Sequence, residues 1–336
     1  MSLRGATICG VGSYLPETVL TNADWERMVD TSDEWIIRHT GISERRLAAD
    51  DQASSDLAIR AAQRALDDAD ISPEQIGLIM LATVTPDHFF PATACLVQDA
   101  IGAKNAGAMD MSSGCTGFIY AMAAGANFVR SGDYDYVLLI SAEVLTRIAD
   151  WTDRSTCVLF GDGAGAAVMG PCGRDEGLLS FALSSHGNYG DLLVLPGGGS
   201  RLRLTPELIA QRQDCLEMQG PEIFKLAVRG IPKIAKNALD KAGLSASDVS
   251  AVIMHQANRR ILDAAADRLD IDPEKVINTV GKYGNTSAAS VPMCLDDTYR
   301  KGQLSPGDIV LFVGFGAGFT LGAAVVRWTL PPPTSA

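Results

Sequence analysis

The 336-residue chain is 47% hydrophobic and 20% charged, with a net charge of −12, an ordinary globular composition with length enough for two core-bearing halves. An acidic chain has no general attraction for nucleic acid, no apolar run reaches the ~18 residues of a membrane span, and MSLRGATICGVGSYLPE holds no signal-peptide core. Cysteines at 9, 95, 115, 157, 172, 215 and 294 form no C-x-x-C and no tight pairing with His, which argues against a metal site or disulfide framework and sets the expectation of a soluble, cytoplasmic protein.

In chain order, GVGSYLP near the start lacks the G-x-G-x-x-G pattern of a dinucleotide site and reads as close backbone packing. Residues 62–82, AQRALDDADISPEQIGLIMLA, predict an alanine-rich helix ending near Asp70, a turn opened by Ser72 and a buried strand. AGAMDM (106–111) predicts another strand. GFIYAMAAGANFV (117–129) has helical spacing through Phe118, Met122 and Phe128, so Cys115 falls at a strand-to-helix turn. DYVLLIS (135–141) reads as a buried strand. FGDGAGAAVMG lacks the G-K-[ST] end of a phosphate loop and reads as backbone packing. GPCGRDEG (170–177) is the expected junction, and 184–219 looks irregular and mobile, a lid in position.

The second half repeats the first. Residues 235–255, AKNALDKAGLSASDVSAVIMH, match 62–82 at an offset of 173 without a gap, with six identities in 21 positions. The same offset lays DYVLLIS on DIVLFVG (308–314) and places Ser112–Cys115 opposite Asn285–Ala288. One register across three windows argues for duplication, and the period is too long for a solenoid. The expectation is an α/β fold of two similar halves, 1–172 and 173–330, with 331–336 a frayed tail.

Equivalent positions differ in chemistry: Cys115 faces Ala288 in register, His255 faces Ala82, and Asn285 faces Ser112. At a helix N-terminus, unpaired N–H groups and the dipole favour a thiolate and can hold an oxyanion. A free cysteine is equally a common buried core residue. His255 ends the run AVIM, at a strand's C-terminal end, where open α/β sheets put their sites; a lone His there is often structural. Asn285 follows a glycine, as caps and turn residues do. Together, Cys, His and Asn suit thioester chemistry: a thiol attacks one acyl group, and two donors bind a second carbonyl as it loses CO2.

These motifs resemble those of the β-ketoacyl-acyl carrier protein synthase III family, in the thiolase superfamily, from about residue 5 to 328. The resemblance is carried by SSGCTGF around Cys115, HQAN at 255–258, GNTSAAS at 284–290, FGDGAGA at 160–166 and GFGAGFTLG at 314–322, with TSDEWI and TGI near residues 31–42. It implies a five-layered αβαβα thiolase-like fold. It also implies decarboxylative Claisen condensation of a short acyl-CoA such as acetyl-CoA with malonyl-acyl carrier protein, giving 3-oxoacyl-acyl carrier protein, CoA and CO2. The steps would run by ping-pong through acyl-Cys115 and initiate fatty acid synthesis without a cofactor or metal. His255 and Asn285 would promote decarboxylation, with an oxyanion hole from the Cys115 N–H and the backbone at Gly316 and Ala317. Trp35 and Arg154 would sandwich the CoA adenine. Phe90 would cross a homodimer interface into the partner's acyl pocket, and Lys225 and Arg260 would dock the carrier protein.

The sequence also departs from the family. Many members carry Arg where His39 stands here, with Arg38 one position earlier, which shifts the expected CoA phosphate contact. Some relatives carry a basic pair at Asp267–Arg268. Lys225, Arg229, Lys233 and Lys236 recur at helical spacing, interrupted by Pro232, and read either as a dock for an acidic carrier or as a solvated face. Three other readings remain at this level: a starter-unit ketosynthase or acyltransferase of a secondary-metabolite pathway using a longer or aromatic acyl group, a papain-like cysteine hydrolase with the same Cys–His–Asn order, and a non-catalytic binding protein.

Overall fold

Buried apolar residues alternate to both faces of the long strands, so the sheet they build must be covered on both sides. The computed structural model describes residues 4–333. The first half runs β1 (Gly5–Tyr14), β2 (Thr18–Thr21), α1 (Asn22–Glu26), α2 (Asp33–Thr40), β3 (Glu44–Leu47), α3 (Ser54–Ala69), β4 (Ile76–Ala82), α4 (Thr93–Ala100), β5 (Gly107–Met111), α5 (Gly117–Ser131), β6 (Tyr136–Val144) and β7 (Asp162–Cys172). The second runs β8 (Gly177–Ser185), β9 (Leu193–Val194), α6 (Pro206–Ala210), β10 (Glu217–Met218), α7 (Gly220–Ala242), β11 (Ala251–Met254), α8 (Arg259–Leu269), α9 (Val280–Tyr283), α10 (Ser290–Arg300), β12 (Ile309–Gly316) and β13 (Thr320–Arg327). Of the expected tail 331–336, residues 334–336 lie outside the described residues, and 331–333 carry no helix or strand.

The large sheet has the order β11-β12-β13-β8-β1-β7-β6-β4-β5. Read outward from the centre, β1-β7-β6-β4 mirrors β8-β13-β12-β11, with matching parallel and antiparallel pairings. The two sets meet at one registered pair, Ala6 with Gly177. The 173-residue offset read in the sequence recurs in the elements: Gly114–Thr116 and Ser287–Ala289 form matching 3-10 turns, and α5 and α10 begin directly after them. α3 and α7 both end on a left-handed residue, Asp70 and Gly243.

Three apolar clusters separate the layers. α3 packs Leu57, Ala61 and Ala65 on Ile79, Leu81, Leu138 and Ile140. α5 and α10 fill the middle, with Phe118, Met122, Val291 and Leu295 between Met80 and Leu139 on one side and Ile253, Val310 and Phe312 on the other. α7 and α8 cover the far face, with Ile231, Ile234 and Leu262 on Val252, Leu311 and Val313. Along β12, Val310 and Phe312 point to the middle layer while Leu311 and Val313 point outward, the period-2 alternation of a strand. The result is the five-layered αβαβα arrangement.

Two details differ from the sequence reading. α7 continues through Pro232 as one helix, its apolar face pinned by tertiary packing. The 184–219 stretch is not wholly irregular: β9 and β10 pair, and a 3-10 turn spans Gly187–Leu192. Among the described residues, no helix is long and apolar enough to cross a membrane.

Phe312 is fully buried in the middle layer. Phe312→Ala should destabilise the chain by about 3–5 kcal/mol in urea unfolding, because the helices on that side serve both halves and cannot collapse onto the void.

Candidate active site

After β5 the chain turns sharply into the Gly114–Thr116 turn, which opens α5 and carries Cys115. The strand end at Gly316 lies flush against this turn: a Cβ placed there would stand 2.4 Å from the Cys115 nitrogen. Only glycine permits that approach. The Cys115 thiol is buried, and Ser287 Oγ donates to its Sγ at 3.3 Å. Burial pushes the thiol up to about 12, with the Ser287 bond opposing and the Glu143 charge adding to the rise. This rise runs against the lowering expected from a helix N-terminus, because desolvation is the larger effect on the buried thiol.

His255 follows β11, its N–H bonded to the Val313 carbonyl at 2.8 Å. Its Nδ1 lies 2.8 Å from Ser290 Oγ, at the start of α10, and its ring meets Phe315 edge-on at 5.2 Å. Ser290 Oγ already accepts from the Gln256 N–H, so its proton is free for Nδ1 and the ring hydrogen is assigned to Nε2. Burial pulls His255 down to about 3, opposed by the Ser287 carbonyl. The imidazole is neutral.

Asn285 is held by its backbone, donating to the Leu159 carbonyl at 2.8 Å and accepting from the Gly161 N–H at 3.0 Å. Its Oδ1 accepts the Ser287 N–H at 2.9 Å, which leaves the NH2 group as the donor. Cys115, His255 and Asn285 all line one cavity of about 800 Å³, together with Gly316 and Ala317. Leu192, Leu193 and Met218 of the 184–219 segment form part of its apolar wall. A second hollow of about 430 Å³ between α3 and α10 is lined by Asp68, Asp296 and Arg300, with Arg300 paired to both carboxylates, and none of the three site residues lines it.

The remaining expected residues are placed as follows. Trp35 and His39 line the cavity, with His39 stacked on the indole at 4.4 Å. The Arg154 guanidinium lies 5.1 Å from the Trp35 ring centroid and donates to the Asp30 carbonyl at 2.6 Å. Arg38 is exposed and does not line the cavity. Lys225 and Arg260 stand at its edge, Lys225 paired with Glu222 and Arg260 over Phe224. Phe90 is 85% exposed and is not part of its own chain's cavity lining. Sequence reasoning passed over Ser287, Ser290 and Glu143. The first two lie in the small-residue run after Asn285, and Glu143 breaks the apolar run of β6; a charge inside a buried strand was the signal.

Reactive groups drawn from both copies of a repeated α/β unit onto one cavity, across a shared helical layer, are the arrangement of a thiolase-fold condensing enzyme. The comparisons agree. Family models described as 3-oxoacyl-[acyl-carrier-protein] synthase III match residues 109–187, and as its C-terminal part residues 239–328. A β-ketoacyl-[acyl-carrier-protein] synthase III of Desulfitobacterium hafniense is 51% identical over 96% of this chain and 97% of its own. The crystal structure of the Aquifex aeolicus 3-oxoacyl-[acyl-carrier-protein] synthase III superposes with a TM-score of 0.89 at 44% identity, covering 96% of this chain and all of that one. The priming β-ketosynthase of a polyketide biosynthetic pathway superposes at 0.91 with 34% identity, covering 98% of each. The chain belongs to the β-ketoacyl-acyl carrier protein synthase III family, acyltransferases that act in the initiation of fatty acid synthesis.

The lowered His255 value has a consequence for stability. Between about pH 6.5 and 3 the unfolded chain binds a proton at this position that the folded chain does not, so the contribution of His255 falls as pH drops through that window. Unfolding free energy should decline more steeply from pH 6 to 4 in the wild type than in His255→Asn, by about 1.4 kcal/mol per pH unit, read from urea titrations at each pH.

Proposed function

We propose that the chain joins a short acyl-CoA to malonyl-acyl carrier protein by a ping-pong Claisen condensation through acyl-Cys115. The observation that carries this is the convergence of Cys115, His255 and Asn285 on one cavity, with the Gly316 backbone laid against the Cys115 N–H. In the first half-reaction Cys115 attacks the thioester carbonyl and CoA leaves as its thiol. The oxyanion lies between the Cys115 N–H and the backbone at 316–317. In the second, the Nε2–H of neutral His255 and the NH2 of Asn285 bind the malonyl thioester oxygen as CO2 departs. The resulting enolate carbon attacks acyl-Cys115. A neutral imidazole stabilises this charge as a fixed donor without giving up its proton.

Trp35 and Arg154 hold the CoA adenine in this reading, and Arg154 must leave the indole to admit it. Lys225 and Arg260 receive the acidic carrier protein at the cavity edge. The exposed Phe89 and Phe90 support a homodimer in which Phe90 closes the partner's acyl pocket. Acyl-CoA is a substrate, and the chemistry needs no resident cofactor or metal. A starter-unit reading with a longer or aromatic acyl group is favoured by one finding, the full-length likeness to the priming β-ketosynthase.

Intact-protein mass spectrometry with acetyl-, octanoyl- and benzoyl-CoA, each adduct chased with malonyl-acyl carrier protein, separates the two. A short adduct on Cys115 that disappears with CO2 release is expected. A long or aromatic adduct untouched by the chase moves the assignment to the starter-unit enzyme. Cys115→Ser should abolish the adduct with the fold intact. His255→Ala and Asn285→Ala should each leave acylation in place and slow CO2 release by about 10²–10³-fold; equal loss of both half-reactions would refute this division of roles.

A further inference from the structure

Beneath the nucleophile lies a carboxyl that the steps above leave unused. Glu143, near the C-terminal end of β6, has 0% exposure. Its Oε2 accepts hydrogen bonds from Thr83 Oγ1 at 3.2 Å, the Val84 N–H at 3.0 Å and Thr85 Oγ1 at 2.8 Å. Its Oε1 is buried with no partner among the described residues, a costly state for a carboxyl that does nothing. β6 packs on the Ser287–Ala289 turn. The Ser287 hydroxyl on that turn donates to Cys115 Sγ at 3.3 Å, and it stands near enough to the Glu143 carboxyl to oppose the rise that burial causes there. A serine hydroxyl both donates and accepts, and its hydrogen rotates; turned from Cys115 Sγ to the unpartnered Glu143 Oε1, it joins thiol, hydroxyl and carboxyl into a chain.

We propose that Glu143, acting through Ser287, takes the Cys115 thiol proton as an acyl group arrives and returns it when that group leaves. The inference rests on the acyl-Cys115 reading. As the sulfur–carbon bond forms, the S–H bond breaks; its proton passes to Ser287 Oγ, and the Ser287 proton passes to Glu143. The CoA sulfur departs with its bonding pair and takes a proton from solvent. In the second half-reaction, carbon–carbon bond formation expels the Cys115 sulfur with its electron pair, and Glu143 returns the proton by the same route. One solvent proton is consumed per turnover, balancing the malonyl carboxylate lost as CO2.

This route keeps the buried group from ever holding two negative charges. Ionising Cys115 beside an ionised Glu143 is one of the effects that hold the thiol up, and moving the proton within the chain avoids it. Burial pushes Glu143 up to about 7, where a base works best near neutrality. The ionisable groups around it do not fix its charge. Cys115 faces it from the turn before α5. On β7, Asp162 is engaged by Thr146 and the Ala48 N–H. After β4, Asp87 is held by Ser55. After β6, Arg147 donates to the carbonyls of Ala49, Asp50 and Gln52. His255, from β11, is neutral.

The test is rapid-quench mass spectrometry of Cys115 acylation by acetyl-CoA from pH 5.5 to 9, on the full chain. The wild-type rate should rise through a limb near pH 7 as Glu143 ionises. Glu143→Gln keeps an acceptor for the three Oε2 donors; it should lose the limb and slow acylation about 10²-fold. Ser287→Ala should lose the same limb, and it decides the matter should Glu143→Gln fail to fold. Glu143→Asp should recover part of the rate with a limb. A wild-type profile in either Glu143→Gln or Ser287→Ala overturns the relay. So does a uniform loss of rate with the limb intact, which marks a purely structural role. Absence of any adduct on the wild type overturns the acyl-enzyme reading and this inference with it; an adduct independent of Glu143 overturns this inference alone.

Discussion

The structure depends on how closely the starts of two helices approach each other at the centre of the molecule. A Cβ at Gly117, the first residue of α5, would stand 2.7 Å from the Ala82 side chain and 3.2 Å from that of Ala288. Nothing larger than hydrogen fits between the end of β4 and the matching turn of the other half. That contact brings Ser287 onto Cys115 and sets Ser290 under His255. A packing requirement of the middle layer thereby becomes the geometry of the site.

The second constraint is dryness. Burial raises the Cys115 thiol, raises the Glu143 carboxyl and lowers the His255 imidazole. All three shifts favour the neutral form. Such a site opposes stored charge and responds strongly to charge that develops during reaction, because fixed donors act there with little screening. Burial therefore does not conflict with a nucleophilic role for Cys115; it requires that the proton have somewhere to go.

Much of this was legible in the sequence, for identifiable reasons. The repeat could be read because helix, turn and strand recur without a gap, from Ala62–Ala82 to Ala235–His255. The buried strands could be read because runs such as IVLFVG after Asp308 are apolar at every position, which demands cover on both faces; the five layers came from the family resemblance. Cys115, His255 and Asn285 each stand at the end of an element and so fall at the same end of the sheet. What could not be read depends on distant neighbours. The charge state of Cys115 is set by residues from both halves. Arg154 lies over the Trp35 ring from another part of the chain, whereas the stacking of His39 on Trp35 is local, four positions apart on α2. Glu143 interrupts an apolar run, but only the packing of β7 and the Ser287 turn on β6 shows that it lies fully buried beneath Cys115.

The two halves differ most where their chemistry differs. β5 has no strand counterpart: the positions 173 residues further on form α9. β5 runs straight into the turn that presents Cys115, a thiol that must sit at a helix start with backbone N–H groups around it. α9 instead ends in Gly284, which adopts a φ of 65° and swings Asn285 against Leu159 and Gly161 of the other half. A strand in that place would have carried residue 285 onward toward the α10 turn, as β5 carries Ser112 toward α5. Breaking the repeat here brings the amide to the wall of the cavity that Cys115 and His255 share. The duplication supplies two equivalent helix starts, and the departure from it lets one hold a nucleophile while the other holds the donors that face it.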